Sequence, residues 1–563
     1  MFVFNGWRQA AARRLRFHPL LGVRLPRMSE ETLLRQMRRL SPEEAALVRA
    51  RRYLPLPGKG LQRPCVVTDE ASRRVAEEAG CLAIAEAQPE AFLRAMERAW
   101  GEGIIREASW ALAGGQPHFS AYRRFSQGQK EMLLLALVAL AMLAIAWPTG
   151  MLLVTSALFG IFYLSLAALH FSAARHRAAW QRISLLRDEQ LPVYTVLVPL
   201  FRESRVIPQL LQALARLDYP TEKLDIKLLV EEVDAQTRAA LARYVLPHHI
   251  EVLTVPRGAP QTKPRALNYG LAFARGALLT IYDAEDIPHP GQLRLAASMF
   301  AQADERLACL QAPLGWYNAG TSFFTRMIAV DYAAHFHVIL PWLHRLGLPL
   351  PLGGTSNHFR IRALLEAGGW DPFNVTEDAD LGLRLARKGY RTGTLPRLLT
   401  LEEACADYGC WRNQRARWIK GWLQTFLVHQ RAPARLLTEV GAGGYFVLYA
   451  LLGAGVFASL LHPLFLLLTV LALAQPEALP GGLAGTWLAA QGVVVFVAGY
   501  AGAIAAAIKG LRRTHQMHLL PWLVFLPFYW LLVSLAAWLA LWDFIRRPHH
   551  WRKTEHGYEL MFK

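Results

Sequence analysis

Four short groups of residues have types and spacings that suit chemistry on a charged leaving group. Glu231, Glu232 and Asp234 end one apolar run, and Asp283, Glu285 and Asp286 end another. Thr376, Glu377 and Asp378 follow, and then Gln414, Arg417 and Trp418. A carboxylate cluster after a strand suits a hard divalent ion with oxygen ligands. Such an ion holds a diphosphate and offsets the charge of its departure. A separate carboxylate can take the proton of an attacking hydroxyl. Gln414, Arg417 and Trp418 stand at i, i+3 and i+4, so a helix presents them on one face. There an amide and a guanidinium suit phosphate oxygens, and an indole suits the face of a sugar ring. Together these are the parts needed for glycosyl transfer from a nucleotide diphosphate sugar.

The elements around these groups are legible as patterns. The runs 191–201, 226–232, 250–256 and 277–286 are short, apolar and β-branched, and each precedes a polar or helical stretch. That alternation predicts a mostly parallel α/β sheet, with ligands at the carboxyl ends of its strands. Residues 131–171 are almost uncharged and too long for one passage, with a turn signal at Pro148, Thr149 and Gly150. They predict a helical hairpin, 131–147 and 151–171. Residues 411–432 form a basic, Trp-rich amphipathic helix suited to a membrane interface. Residues 444–545 predict about four further membrane helices, six in all, if His462 and Pro463 break the 444–475 stretch. Six places both ends in the cytosol; reading that stretch as one passage gives five, with the basic tail 546–563 outside. Residues 1–128 predict a small cytosolic α/β domain, including a helix capped by Ser41 with Glu44 three residues on. The catalytic domain is expected over 190–410.

Hydrophobic residues make up 53% of the 563 residues, charged residues 19%, which excludes disordered, collagenous and coiled-coil classes. Net charge is +19, and the long uncharged runs beside it point to a membrane surface rather than nucleic acid. No signal peptide is expected from the first twenty-odd residues. The cysteines (Cys65, Cys81, Cys309, Cys405 and Cys410) form no CxxC pair and read as a reduced set facing the cytosol. His335 and His337 lie two apart on different helix faces and read as core rather than as a metal pair. Trp342, Trp370 and Trp411 either line a sugar path or anchor the interface.

The ordered set, with Lys263 to Asn268 before the second group and Gly353 to His358 before the third, resembles the processive, membrane-embedded family 2 glycosyltransferases. Cellulose, hyaluronan and curdlan synthases are examples. The stretches 352–360, 368–382, 414–429 and 551–557 look most like the subgroup of XagB-type exopolysaccharide synthases and the phage N4 adsorption protein B. The resemblance covers roughly 130–557 and implies a cytosolic GT-A domain inserted between transmembrane helices, inverting at the anomeric carbon and feeding a channel. It implies donor contacts from Glu232 and Asp234, with Glu231 an alternative to Glu232, and from Lys263, Asp283, Glu285, Gln414 and Arg417. Asp283 and Glu285 would hold Mg²⁺ or Mn²⁺, with Glu285 standing where most relatives carry Asp. Asp378 would be the catalytic base. Gly354, Ser356, His358, Thr376, Glu377 and Trp418 would meet the acceptor.

The implied partners are a UDP-sugar, most readily UDP-glucose, the growing β-glycan, membrane lipid and a periplasmic export partner. Transfer of a single sugar to a lipid or glycoconjugate, or a receptor with a vestigial transferase domain, are the alternatives. Residues 65–101 resemble part of the N-terminal domain of type II secretion ATPases, a version of which binds cyclic di-GMP, although Arg24, Leu25 and Pro26 match its repeat poorly. No PilZ signature is present.

Overall fold

The computed structural model describes residues 25–58, 62–176, 182–397, 399–475 and 479–551. The basic motif at 552–557 and Arg24 lie outside these. The described chain falls into two compact units. One comprises the described residues through Glu107 with Thr254–Pro256 and Tyr269–Arg275; the other holds the rest.

In the first unit, α1 (Glu30–Met37) and α2 (Pro42–Arg51) precede a small sheet. The Ser41 hydroxyl accepts from the Glu44 amide and the Glu44 carboxylate accepts from the Ser41 amide, the reciprocal cap that the sequence predicts. Strands β1 (Tyr53–Pro55) and β2 (Arg63–Val67) pair antiparallel, and β2 pairs parallel with β3 (Cys81–Glu86) across α3 (Glu70–Glu78). The next helix, α4 (Pro89–Gly115), contains the division between the units.

The second unit is built on seven strands in the order β12-β9-β11-β7-β4-β5-β6. These are β4 (Tyr194–Leu200), β5 (Leu224–Glu231), β6 (Ile250–Val255), β7 (Leu278–Ile281), β9 (Leu307–Gln311), β11 (Asn357–Arg360) and β12 (Arg391–Thr394). Strands β4, β5 and β7 are parallel, and β11 runs antiparallel between β7 and β9. Both faces are covered, so β4 reads as a nearly continuous apolar run, and in β5 the charges of Asp225 and Lys227 are buried as an ion pair at 2.6 Å. Their side chains Val196, Val198, Ile226 and Leu228 form the core with Leu210, Leu293 and Phe300. A smaller sheet, β10 (Leu314–Trp316), β13 (Thr400–Glu402) and β8 (Ile287–Pro288), stands beside it.

Among the described residues five helices are long and apolar enough to cross a membrane, where the sequence predicts six. The first two are α5 (Gln127–Ala146) and α6 (Pro148–Arg175), the expected hairpin. The break expected at His462 and Pro463 is absent. Pro463 sits inside α17 (Gly455–Ala474), which continues α16 (Pro433–Leu448) through a π-helical stretch, Tyr449–Ala454. A proline forfeits one ladder bond, and neighbouring helices make that tolerable in apolar surroundings. The bend falls instead at Gly441, whose φ of 70° only glycine adopts readily. Next come α18 (Leu483–Arg513) and, after a 3₁₀ stretch, α19 (Leu526–Arg546).

Helix α19 lies along α15 (Tyr408–His429), with Ala536, Ala537, Ala540 and Phe544 packed on Ala416, Ile419 and Leu423. Both of its ends rest on other parts of the second unit. Leu519 and Leu523 before it pack with Met327 and Trp411. After it, Lys420 Nζ donates to the His550 carbonyl at 2.6 Å, and Arg124 donates to the Ile545 carbonyl at 2.8 Å.

The cysteines also depart from expectation. Cys405 and Cys410 form a disulfide, Cα atoms 5.6 Å apart. Asp407 caps α15 between them, and the turn it makes brings the two side chains together. Cys65, Cys81 and Cys309 are free and buried.

Candidate active site

Strand ends and helix starts converge on one cavity of about 500 Å³. From the end of β5 comes Glu231; from α9 (Lys263–Leu271), Lys263; from the end of β7, Asp283 and Glu285. The loop before β11 contributes Gly353, Gly354 and Thr355. Thr376, Glu377 and Asp378 open α14 (Glu377–Arg387), and Gln414, Arg417 and Trp418 share one face of α15. The cavity continues among Tyr163, Ser459, His462 and Trp530 of the apolar helices.

Lys263 is the hub of its charges. Its ammonium is 2.5 Å from Asp283 Oδ1 and donates to the Gly354 carbonyl at 2.7 Å. Burial opposes its charge, but Asp283, Glu377 and Asp378 hold it cationic well above the usual lysine range. Burial, joined for Glu377 by the charge of Asp378, raises both carboxyls of the pair above the ordinary carboxylate range. Lys263 and Arg417 oppose the rise in each. Gly354 lies against Asp378, where a Cβ would meet its Oδ2 at 3.4 Å.

Several polar atoms here are spare. Gln414 Oε1, Arg417 Nε and Thr376 Oγ1 are buried with no hydrogen-bond partner among the described residues. Such atoms are uncommon in folded proteins, and at a cavity wall they are free to bond a ligand or water. Arg417 also stacks on Trp551, 5.4 Å from the ring centre. Asp283 and Glu285 are hard oxygen donors side by side at the cavity wall. Two carboxylates completed by diphosphate oxygens and water fit Mg²⁺ or Mn²⁺. Among the described residues no group of three metal-ligating side chains occurs.

Other expected residues fall elsewhere. Glu232 is exposed and accepts from the Arg257 amide, away from the cavity. Asp234 caps α8 (Ala235–Leu241), accepting from the Thr237 amide at 3.1 Å and from the Arg202 amide. Of this group it is Glu231 that reaches the cavity, paired with the buried Arg265 at 2.6 Å. Strand alternation, which points neighbouring side chains to opposite faces, is the signal that separates Glu231 from Glu232. Ser356 and His358 also do not reach the cavity. Ser356 bonds Thr400 at 2.7 Å, and His358 lies inside the sheet between the Tyr194 hydroxyl and Gln292. Sequence reasoning missed Glu402, which lines the cavity from β13; burial, with Asp286 and Glu285, raises its carboxyl. Trp370 and Trp411 are core residues, and Trp342 does not line the cavity. The tryptophans that line it are Trp418, Trp422, Trp530 and Trp551. His335 lines the cavity, and His337 does not.

Gly421 lies where α15 meets Thr376. A Cβ there would fall inside van der Waals contact of the Thr376 side chain. Gly421→Ala favours the helix locally yet must displace Thr376 and the carboxylates after it. We expect kcat to fall about tenfold or more without loss of folded protein, since small misplacements of reacting groups are costly. Turnover and thermal unfolding of the purified variant check this; unchanged turnover would show that Thr376 moves freely.

Residues 192–421 match the family described as glycosyltransferase like family 2. The stretch that carries the cavity's carboxylates and the Gln414, Arg417 and Trp418 face is thus similar to family 2 glycosyltransferases. Its relatives include a probable glycosyltransferase, YdaM, of Bacillus subtilis, 26% identical over 41% of this chain and 56% of the relative. The cellulose synthase 1 catalytic subunit of Komagataeibacter xylinus is 27% identical over 50% of this chain and 38% of its own length. A beta-monoglucosyldiacylglycerol synthase of Synechocystis is 27% identical over 43% and 50%. The chain spans about half the length of these relatives.

Proposed function

We propose that the protein polymerises a sugar from a UDP-sugar, most readily UDP-glucose, into a β-linked exopolysaccharide and passes it through its apolar helices. The observation that carries this reading is the cavity that holds Glu231, Lys263, Asp283, Asp378, Gln414 and Arg417 and whose lining extends to Tyr163, Ser459, His462 and Trp530 of the apolar helices. A transferase acting on a soluble acceptor needs no such continuation. The synthase named among the relatives supports the same reading. The lipid glucosyltransferase among them favours the rival, transfer of one glucose to a lipid.

Glu231, held by the buried Arg265, would meet the nucleoside end of the donor. Lys263 and Arg417 bind the diphosphate, with the spare Nε of Arg417 and Oε1 of Gln414 turned to it and to the incoming hydroxyl. Asp283 and Glu285 would hold the divalent ion, whose chemistry is to offset charge on the departing nucleoside diphosphate. Asp378 takes the acceptor hydroxyl's proton, its raised pKa bringing it closer to the working pH. Trp418 and Trp422 offer flat faces to sugar rings at the exit.

We further propose that the domain faces the cytosol at the bacterial inner membrane. The segments flanking α19 both rest on other parts of the second unit, so we read that helix as lying along the interface. Four crossings then return the tail to the catalytic side. Reporter tags at 515 and 551 should both be cytosolic; a split result would contradict this topology. An export partner, and cyclic di-GMP bound by the first unit, extend the proposal.

The test is UDP release by purified protein in nanodiscs, with UDP-glucose, UDP-galactose, UDP-GlcNAc or UDP-glucuronate and Mg²⁺ or Mn²⁺. We expect release from one donor that stops on chelation and returns with the metal. Absence of release from every donor by folded protein would favour the receptor reading.

A further inference from the structure

The loop 371–376 leads directly into Glu377 and Asp378, and its position is fixed largely from outside the family-matched region. Asp371 is fully buried. Its carboxylate accepts from the Ser120 hydroxyl at 3.1 Å and from the Ala121 amide at 2.5 Å. The same carboxylate accepts from the Phe373 amide at 3.1 Å, which turns the loop toward Asp378. Trp110 and Tyr122 close over Phe373 with ring centres 5.0 and 4.9 Å away.

The segment that supplies these contacts is itself tied to α15. Arg431, two residues past the end of that helix, donates to the carbonyls of Pro117 (2.9 Å), His118 (3.1 Å), Ser120 (3.0 Å) and Arg123. Helix α15 also holds the loop directly, since the Val375 amide donates to Gln424 at 3.1 Å and Asn374 donates to Thr425 at 2.8 Å. One strap, 117–123, therefore touches the support of Asp378 on one side and the helix of Gln414 and Arg417 on the other.

We propose that residues 117–123 form a positioning strap for the active site, with Asp371 and Arg431 as its two positioning residues. The strap fixes the distance between Asp378 on α14 and the Gln414–Arg417 face of α15. A segment more than sixty residues before the family-matched region thus sets the geometry of the reacting groups. Neither residue touches donor or acceptor; both act through Asp378 and Arg417. The inference rests on the proposed roles of those two residues.

The experiment uses the full-length protein in nanodiscs, with UDP-glucose (or whichever UDP-sugar supports release) as donor. UDP binding by calorimetry counts competent sites, and UDP release gives kcat per site and KM. The variants are Ser120→Ala, Asp371→Ala, Asp371→Asn, Arg431→Ala and the pair Ser120→Ala with Asp371→Ala, with Asp378→Asn as reference. We expect Asp371→Ala to lower kcat per site about a hundredfold while KM changes less than about threefold, the signature of misplaced reacting groups. Asp371→Asn keeps an acceptor for the Ala121 amide and should recover about tenfold of that loss. Adding Ser120→Ala to Asp371→Ala should cost nothing further, because the two act as one unit. A merely structural strap would reduce the number of UDP-binding sites and leave kcat per site unchanged; that result, with Asp378→Asn inactive, overturns the strap alone. An active Asp378→Asn overturns the parent reading and the strap together.

Discussion

Asp378→Asn is expected to lower glycosyl transfer by at least about 10³-fold while leaving UDP binding intact, within the ~10²–10⁴ that a positioned general base supplies. The substitution keeps size and shape, so the contacts of Gly354 and Lys263 around it persist. What it removes is the carboxylate proposed to take the acceptor's proton. In the unaltered protein a base works when deprotonated, so activity is present above the pKa of Asp378 and lost as pH falls through it. Burial raises that pKa, so the acid limb should lie above the range of an ordinary exposed carboxylate. UDP release measured against pH, beside calorimetric UDP binding, checks both points. Full turnover by the Asn variant would remove Asp378 from the proton step.

Arg417→Ala should have the next largest effect, a fall in kcat of about 10²–10³-fold, the scale for removing a preorganised charge stabiliser from a dry site. It carries a second signature. Arg417 is one of the cations that lower the pKa of Asp378. Without it that pKa rises, and the acid limb of the residual activity moves to higher pH. An Arg417 that served only to anchor α15 would lower activity at every pH alike. Arg417→Lys restores the charge but not the fork, so it should return the limb toward its original position while recovering only part of the rate.

Much of the fold was legible because its signals are local. Apolar runs ending in carboxylates became β5 and β7, and the turn at Pro148 became the start of α6. Gln414, Arg417 and Trp418 reached one wall because helical spacing alone decides that. The failures came where a residue's surroundings are set by distant chain. His358 looked like an acceptor ligand by its place in a motif, but strand pairing on both sides carries it into the sheet. Pro463 looked like a break, yet its helix is held by neighbours. Cys405 and Cys410 share no familiar spacing, and only the capped turn at Asp407 joins them. The strap at 117–123 was invisible for the same reason. Its bonds from Arg431 end on main-chain carbonyls roughly three hundred residues away, and these leave no pattern in side-chain identity.

The most direct test of the synthase reading is the fate of the sugar in sealed, inverted membrane vesicles that carry the protein with its catalytic unit outward. Radiolabelled UDP-glucose and Mg²⁺ (or the donor and metal that support UDP release) are added outside, and the product is sized after treatment with an external glycosidase. A cavity that opens from the transfer site into the membrane helices predicts a long, β-linked polymer that resists the enzyme until detergent opens the vesicle. A product of one sugar on lipid, or a polymer digested without detergent, would contradict it.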